Sequence, residues 1–236
     1  MWKFILHRVL VPILLVLVGG CVALTLTLKE ERSAIARMQP EVKKEEPPKA
    51  KPINISISSY DAIFKEVAAK YKLDWVLLAA LAKTESGFKH DAVSRSGAVG
   101  LMQIMPAVGK SLGYTREQLF DAHTSVELAA KVLHKNIDML RLPEDISKEE
   151  QWSFTLACYN AGYGRIADAR ALTRHYGLDA NKWSDVATYL RKLSEPEYAR
   201  HEVVKSGYFR GSKETIGHVS KVLKIYDKYT GNEADE

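Results

Sequence analysis

Glu85 ends the apolar run Trp75-Val76-Leu77-Leu78-Ala79-Ala80-Leu81-Ala82. After it come Ser86-Gly87-Phe88, Ser94, Gly97-Ala98 and Gly100-Leu101-Met102-Gln103-Ile104-Met105-Pro106. A segment apolar all round predicts a buried core helix, with Asp74 as its N-cap and Glu85 in its last turn. There the carboxyl group faces the negative pole of the helix dipole and lies beside buried apolar surface, and both effects oppose its ionisation. A carboxylic acid that keeps its proton near neutral pH can protonate a leaving oxygen, which is what breaking a glycosidic bond requires. Read alone, Glu85 is more simply an exposed acid near Lys83 and Lys89. The residues around it carry the functional reading.

Together with Ala157-Cys158-Tyr159-Asn160-Ala161-Gly162-Tyr163-Gly164-Arg165-Ile166, these blocks resemble the soluble-type (SLT) lytic transglycosylases and their goose-type lysozyme fold. The resemblance covers about residues 55 to 230 and rests on three motifs in the family's order: E-S-x-F at Glu85, G-A-x-G-L-M-Q-I-M-P from Gly97, and Y-N-A-G from Tyr159. A weaker fourth, Glu214-Thr215 with His218-Val219, is similar to the family's E-T-x-x-Y-V, with histidine where tyrosine is usual. His90-Asp91 stands where Asn-Pro is usual, and Ser125-Val126 where Asn-Ile is usual. The resemblance implies cleavage of the β-1,4 bond between N-acetylmuramic acid and N-acetylglucosamine in peptidoglycan, without water as nucleophile. Glu85 would first protonate the glycosidic oxygen. It would then act as base toward the muramyl C6 hydroxyl, which closes onto C1 and leaves a 1,6-anhydro end. A hydrolase needs a second carboxylate roughly 5 to 9.5 Å from the first. No motif places one, and Asp91, the nearest candidate, reads first as a turn or cap residue.

The resemblance also suggests roles for the other motif residues, and their chemistry permits them. Ser86 accompanies the acid, and the Tyr159 hydroxyl can hydrogen-bond Glu85 and fix its orientation. Asn160 offers donor and acceptor to an acetamido or hydroxyl group. Ser94 and Gln103 can do the same for sugar groups, and Met105 offers a polarizable apolar wall. Glu214 reads as a supporting or binding residue, or as a solvated glutamate at a helix start. Gly97, Gly100 and Gly162 mark close backbone approach or positive φ. Leu101 and Met102 read as inward-packing, and Cys158 as an inert buried thiol. His201-Glu202-Val203-Val204-Lys205 opens like a zinc-protease helix but lacks the second histidine. There is no Cys-x-x-Cys pair and no phosphate-binding glycine loop, so no metal and no cofactor are expected. The seven histidines are scattered and read as solvated or packed.

Helical periodicity dominates and no strand alternation is sustained, so the predicted fold is mainly α, a lysozyme-like helical domain. Helices are predicted over 60–71, 149–160, 164–175, 183–193, 196–208 and 214–229, besides the one that ends at Glu85. Thr115 with Gln118, Thr124 with Glu127 and Ser147 with Glu150 have capping-box spacing, each opening a helical segment. Val126, Ala129, Ala130, Leu133, Ile137 and Leu140 then repeat at helical intervals.

Ahead of this domain, Val9 to Leu28 carries no charge. At about 1.5 Å per residue such a helix crosses a roughly 30 Å hydrocarbon layer. Lys3 and Arg8 precede it, whereas the charges at 29–32 cancel, which keeps the N-terminus cytoplasmic and the rest outside. Val18-Gly19-Gly20-Cys21 is an alternative lipoprotein signal, although the apolar run continues past Cys21. Residues 29–54, rich in Lys, Glu and Pro, read as a stiff solvated tether, followed by the domain over 55–230 and a tail at 231–236. The chain's net charge is +5, but from Ile53 onward 25 Lys and Arg face 24 Asp and Glu, which argues against a nucleic-acid footprint. The expected partners are peptidoglycan strands and, through residues 1–28, the membrane of the cell envelope, with the domain periplasmic. Partners in cell-wall machinery are unspecified. The rival readings are a hydrolytic lysozyme-like muramidase and an inactive tethered glycan-binding scaffold. The latter would need no proton donor at position 85.

Overall fold

The structure, a computed structural model, describes residues 56–231. The predicted membrane segment (1–28), the tether (29–54) and all but the first residue of the tail lie outside the described residues. Among the described residues no helix is long and apolar enough to cross a membrane.

The architecture is helical: α1 (Asp61–Tyr71), α2 (Trp75–Glu85), α3 (Pro106–Ser111), α4 (Ala122–Leu140), α5 (Lys148–Ala161), α6 (Tyr163–His175), α7 (Trp183–Lys192), α8 (Pro196–Ala199) and α9 (Ser212–Thr230). A 3₁₀ turn at Glu117–Phe120 precedes α4. Extended pairing among the described residues is limited to the antiparallel bridges Val93 to Val99 and Val99 to Ile104.

The central element is α2. Its residues Val76 through Ala82 are all buried, as its uniform apolarity predicts, and it packs between α1 and α9. Asp74 caps it, accepting from the Val76 N–H at 2.8 Å. The other oxygen of Asp74 accepts from the Tyr226 hydroxyl at 2.9 Å, so one carboxylate both starts α2 and ties it to α9. Burial and the nearby Asp74 charge push the Tyr226 hydroxyl above its ordinary range, which keeps it a donor. The long α9 lies along both α2 and α5, and α4 packs on α1 and α5. The apolar core is therefore continuous from Phe64 through Leu78 and Leu133 to Phe154 and Val222.

Most predicted elements stand within one or two residues, and the differences have identifiable causes. The α4 helix starts at Ala122 rather than after Thr124, because Asp121 accepts from the Thr124 N–H at 2.8 Å and takes the cap. The Thr115 and Gln118 box forms reciprocally, but it opens the 3₁₀ turn. Ser147 does cap α5, accepting from Glu150 N–H, while the Glu150 carboxylate turns away to accept from Trp183 N–H at 2.6 Å. The helix predicted over 196–208 stops at Ala199. Beyond it, the buried Asp168 carboxylate of α6 accepts from the Lys205 and Ser206 N–H groups at 2.9 and 2.7 Å. Arg165 donates to the carbonyls of Ser206 and Gly207. These tertiary bonds give the backbone of 205–207 partners outside a helix, and 200–211 runs as an irregular strap.

Gly100 shows why glycine is needed in the motif turn. Its φ is +81°, and a Cβ built there would lie 2.1 Å from the Leu119 carbonyl oxygen, a backbone atom of the 3₁₀ turn. Gly97 has a similar φ of +89° with nothing within 4 Å of the corresponding point. In chemical denaturation, Gly97→Ala is expected to lose about 1–2 kcal/mol, the strain of a left-handed non-glycine residue. Gly100→Ala is expected to lose a further ~1–3 kcal/mol or more, because the collision is with main chain. Equal losses at the two positions would contradict the close approach.

Candidate active site

Glu85 is the last residue of α2, and Ser86 caps that end with its N–H directed to the Ala82 and Lys83 carbonyls. The chain then turns through two positive-φ residues, Gly87 (+63°) and Phe88 (+68°), and the Phe88 ring packs beside Phe64. This reversal brings the glycine-rich motif alongside the helix end. Ser94 closes its first turn by accepting from the Ala98 N–H at 2.9 Å. Gln103 has φ +50° and donates from its amide nitrogen to the carbonyls of Ala92 (3.2 Å) and Gly100 (3.0 Å).

Hydroxyl groups from three helix ends and faces fasten the 100–104 turn. Ser86 Oγ donates to Leu101 O at 2.8 Å, Ser125 Oγ of α4 accepts from Met102 N–H at 3.1 Å, and Tyr159 Oη of α5 donates to Met102 O at 2.7 Å. Leu101 and Met102 are fully buried, as the sequence predicted. Ser125 is wholly buried as well, so the residue standing where asparagine is usual serves as the turn's internal acceptor.

Glu85 itself is 16% exposed at its side chain and its Oε1 lies 2.8 Å from His218 Nε2, on α9, 133 residues away. The His218 side chain is 8% exposed, and its Nδ1 is buried with no hydrogen-bond partner. This is the principal departure from the sequence reading. Tyr159 was expected to hydrogen-bond Glu85, but its hydroxyl is engaged by Met102 O, and the group on the acid is the histidine of the weak fourth motif. Burial and the neighbouring Glu85 charge raise the Tyr159 hydroxyl well above 10, so it remains a protonated donor to the turn. His218 was grouped with solvated or packed histidines. The available signal was its register in E-T-x-x-Y-V, where a tyrosine hydroxyl is replaced by an imidazole nitrogen.

The other candidates fall into two groups. Asn160 is exposed; its Oδ1 accepts from Thr215 Oγ1 at 2.8 Å, which leaves its amide N–H groups without a protein partner among the described residues. Met105 is 41% exposed at the start of α3. Both sit where a ligand can reach them. Ser94 Oγ, by contrast, is engaged by Ala98 N–H and Ser96 Oγ, and the Gln103 amide nitrogen by the carbonyls of Ala92 and Gly100. Glu214 is exposed in the first turn of α9, and Asp91 is exposed; among the described residues neither is hydrogen-bonded or ion-paired with Glu85. No cluster of three or more metal-ligating side chains occurs among the described residues.

Residues 62–182 match the model of the transglycosylase SLT domain. The chain belongs to this family. Its relatives include the membrane-bound lytic murein transglycosylase F of Stutzerimonas stutzeri, 34% identical over 184 residues, which span 77% of this chain and 36% of that protein. The counterpart from Ectopseudomonas mendocina is 33% identical over 174 residues, 72% of this chain and 34% of that one. The chain thus spans about a third of the length of the curated relatives it matches. Among solved structures, an inactive mutant of lytic transglycosylase Slt from Pseudomonas aeruginosa aligns with a TM-score of 0.51 at 21% identity, covering 74% of this chain and 24% of that one. At that identity the likeness is one of fold, and it agrees with the mainly helical, lysozyme-like SLT domain. The SLT match ends before α9, so the helix that delivers His218 lies beyond it.

Cys158 immediately precedes Tyr159, the first residue of the third motif, and is 3% exposed. Burial pushes its thiol up to about 12. The raised value means the thiol keeps its proton through neutral pH, with thiolate on the order of one part in ten thousand at pH 8. In a Cys21→Ser background, a thiol reagent at pH 8 is expected to label Cys158 only after unfolding. Fast labelling of the folded protein would place the thiol at the surface.

Proposed function

We propose that this chain is a peptidoglycan lytic transglycosylase in which Glu85 is the sole acid and base. The observation that carries the reading is a largely buried carboxyl group at the end of a buried helix, hydrogen-bonded to a histidine ring nitrogen rather than paired with a second acid. Its membership of the SLT family and its relatives' names, lytic murein transglycosylases, support the same reading. Glu85 gives its proton to the glycosidic oxygen as the bond from that oxygen to the muramyl C1 breaks, so the departing sugar leaves with a hydroxyl group. The carboxylate formed is in place to take the proton of the C6 hydroxyl while that oxygen bonds C1. This restores the acid and leaves a 1,6-anhydro end. No water enters the products.

The exposed Asn160 amide and the Met105 side chain are the proposed contacts to sugar substituents and ring faces, and Glu214 is a more distant candidate. Ser86 and Tyr159 act on the turn beside the acid, and Ser94 and Gln103 hold that turn's shape. In the proposed organisation, residues 1–28 anchor the protein in the membrane, 29–54 space it, and 55–230 work outside the cytoplasm. The uncharged run at 9–28 and the relatives' description as membrane-bound support this arrangement.

Glu85→Gln removes the transferable proton and keeps the shape. It is expected to lower kcat by about 10³-fold or more while the variant still binds isolated sacculi. Mass spectrometry of muropeptides released by the native chain should show anhydro ends. Reducing ends alone would favour the hydrolytic reading, and undiminished cleavage by Glu85→Gln would remove Glu85 from the chemistry.

A further inference from the structure

We infer that His218 is a positioning residue that keeps its proton on Nε2, donates it to Glu85 Oε1, and thereby reserves Oε2 as the oxygen that gives and takes the reacting proton. The inference rests on the proposed role of Glu85 and adds a direction to it. Three arrangements satisfy a 2.8 Å contact between Nε2 and Oε1: one, the ion pair of an imidazolium with a carboxylate, puts hydrogen on both ring nitrogens, and the other two leave the ring neutral. In the first neutral arrangement, a protonated Oε1 donates to a bare Nε2, which obliges the ring to carry its hydrogen on Nδ1. In the second, Nε2–H donates to Oε1 and Nδ1 presents only a lone pair.

The surroundings of Nδ1 choose among them. That atom is buried and has no partner, and the side chain as a whole is 8% exposed. An N–H there would be an orphaned buried donor, the kind of group folded proteins rarely tolerate, whereas an unused lone pair on a ring nitrogen is the lesser loss. The hydrogen therefore belongs on Nε2. Oε1 then accepts in both states of the acid, and its lone pair is occupied by His218 before and after transfer. The proton that moves sits on Oε2: it goes to the glycosidic oxygen, and the proton of the C6 hydroxyl returns to the same atom. His218 neither gains nor loses a proton in the cycle.

The position is also one that a hydroxyl donor fills in the motif this segment resembles. A tyrosine O–H and a histidine Nε2–H can each hold Oε1 as donors, so the substitution preserves the direction of the hydrogen bond while changing the atom that makes it. The substitution does not supply a second base.

The test uses the full-length chain and two readouts. Long-range proton–nitrogen correlation spectra of the ¹⁵N-labelled protein, with the His218 ring assigned by its loss in His218→Tyr, are expected to show Nε2 bearing hydrogen and Nδ1 bare. A hydrogen on Nδ1 overturns the inference whatever the enzyme does. In kinetics on sacculi, His218→Phe is expected to lower kcat about 10- to 100-fold with KM nearly unchanged. His218→Tyr and His218→Gln, which restore a donor, are expected to recover most of that loss. Equal losses in all three variants, or none in His218→Phe, overturn it. Failure of the transglycosylase reading would show separately, as absence of anhydro products from the native chain, and the spectra would still decide the tautomer.

Discussion

A carboxyl group at the end of a helix that is buried on every side is the constraint around which the rest of this domain is arranged. Val76, Leu77, Leu78 and Leu81 are at most 4% exposed, and each such side chain contributes about 1.5–3 kcal/mol on burial. Their sum exceeds the ~1–3 kcal/mol lost by leaving one polar group unpaired. Core packing therefore decides where α2 lies, and Glu85 must accept whatever surroundings its end provides. The fold answers by running α9 along α2 and placing His218 within hydrogen-bond reach. The same two helices are joined at the other end by Asp74 and Tyr226. One polar contact at each end fixes the axial register of α9 on α2, so the pairing of Glu85 with His218 depends on the whole length of both helices.

The opposite wall of the site is built differently. The turn at 100–104 is closed by the Val99–Ile104 bridge, and others of its backbone polar groups are claimed by Ser86, Ser125 and Tyr159, while Gln103 bonds back onto the turn itself. Of these, Gln103 is the one whose chemistry suggested sugar contacts, and Ser86 and Tyr159 were expected beside the acid. Their atoms are instead consumed in making an irregular loop rigid, which a site for directed proton transfer needs as much as it needs contacts to substrate. Asn160 and Met105, which keep free polar and apolar surface, stand on α5 and at the start of α3.

What was legible in the sequence was what local physics determines. The unbroken apolarity of 75–82 specifies a buried helix, Asp74 and Ser147 specify caps, and Gly100 specifies a turn that no side chain can share. The short α8 was not legible, because the bonds that replace its continuation come from Asp168 and Arg165 on another helix. The partner of Tyr159 was missed for a related reason: the hydroxyl is close enough to Glu85 to feel its charge, yet the backbone carbonyl of Met102 offers it an acceptor that only the folded turn creates. His218 carries no local mark at all. Nothing in its neighbours distinguishes it from the other histidines, and only its place within a weak motif hinted at contact with the acid.

A single carboxyl group asked to serve first as acid and then as base faces a geometric demand that a pair of acids does not. In the proposed reaction the proton goes to the oxygen leaving C1 and returns from the C6 oxygen that bonds C1, so the carboxylate oxygen that released it must still face C1 when the C6 hydroxyl arrives. A carboxylate free to rotate would hold neither oxygen toward C1. One donor held on Oε1 prevents that rotation without competing for the moving proton. The donor must also have no second proton acceptor within reach, since a relay onward from the ring would let charge leave the site. The buried, unpartnered Nδ1 of His218, which looks like a defect in packing, meets that requirement. The hydrogen bond that orients Glu85 thus ends the proton path as well as directing it.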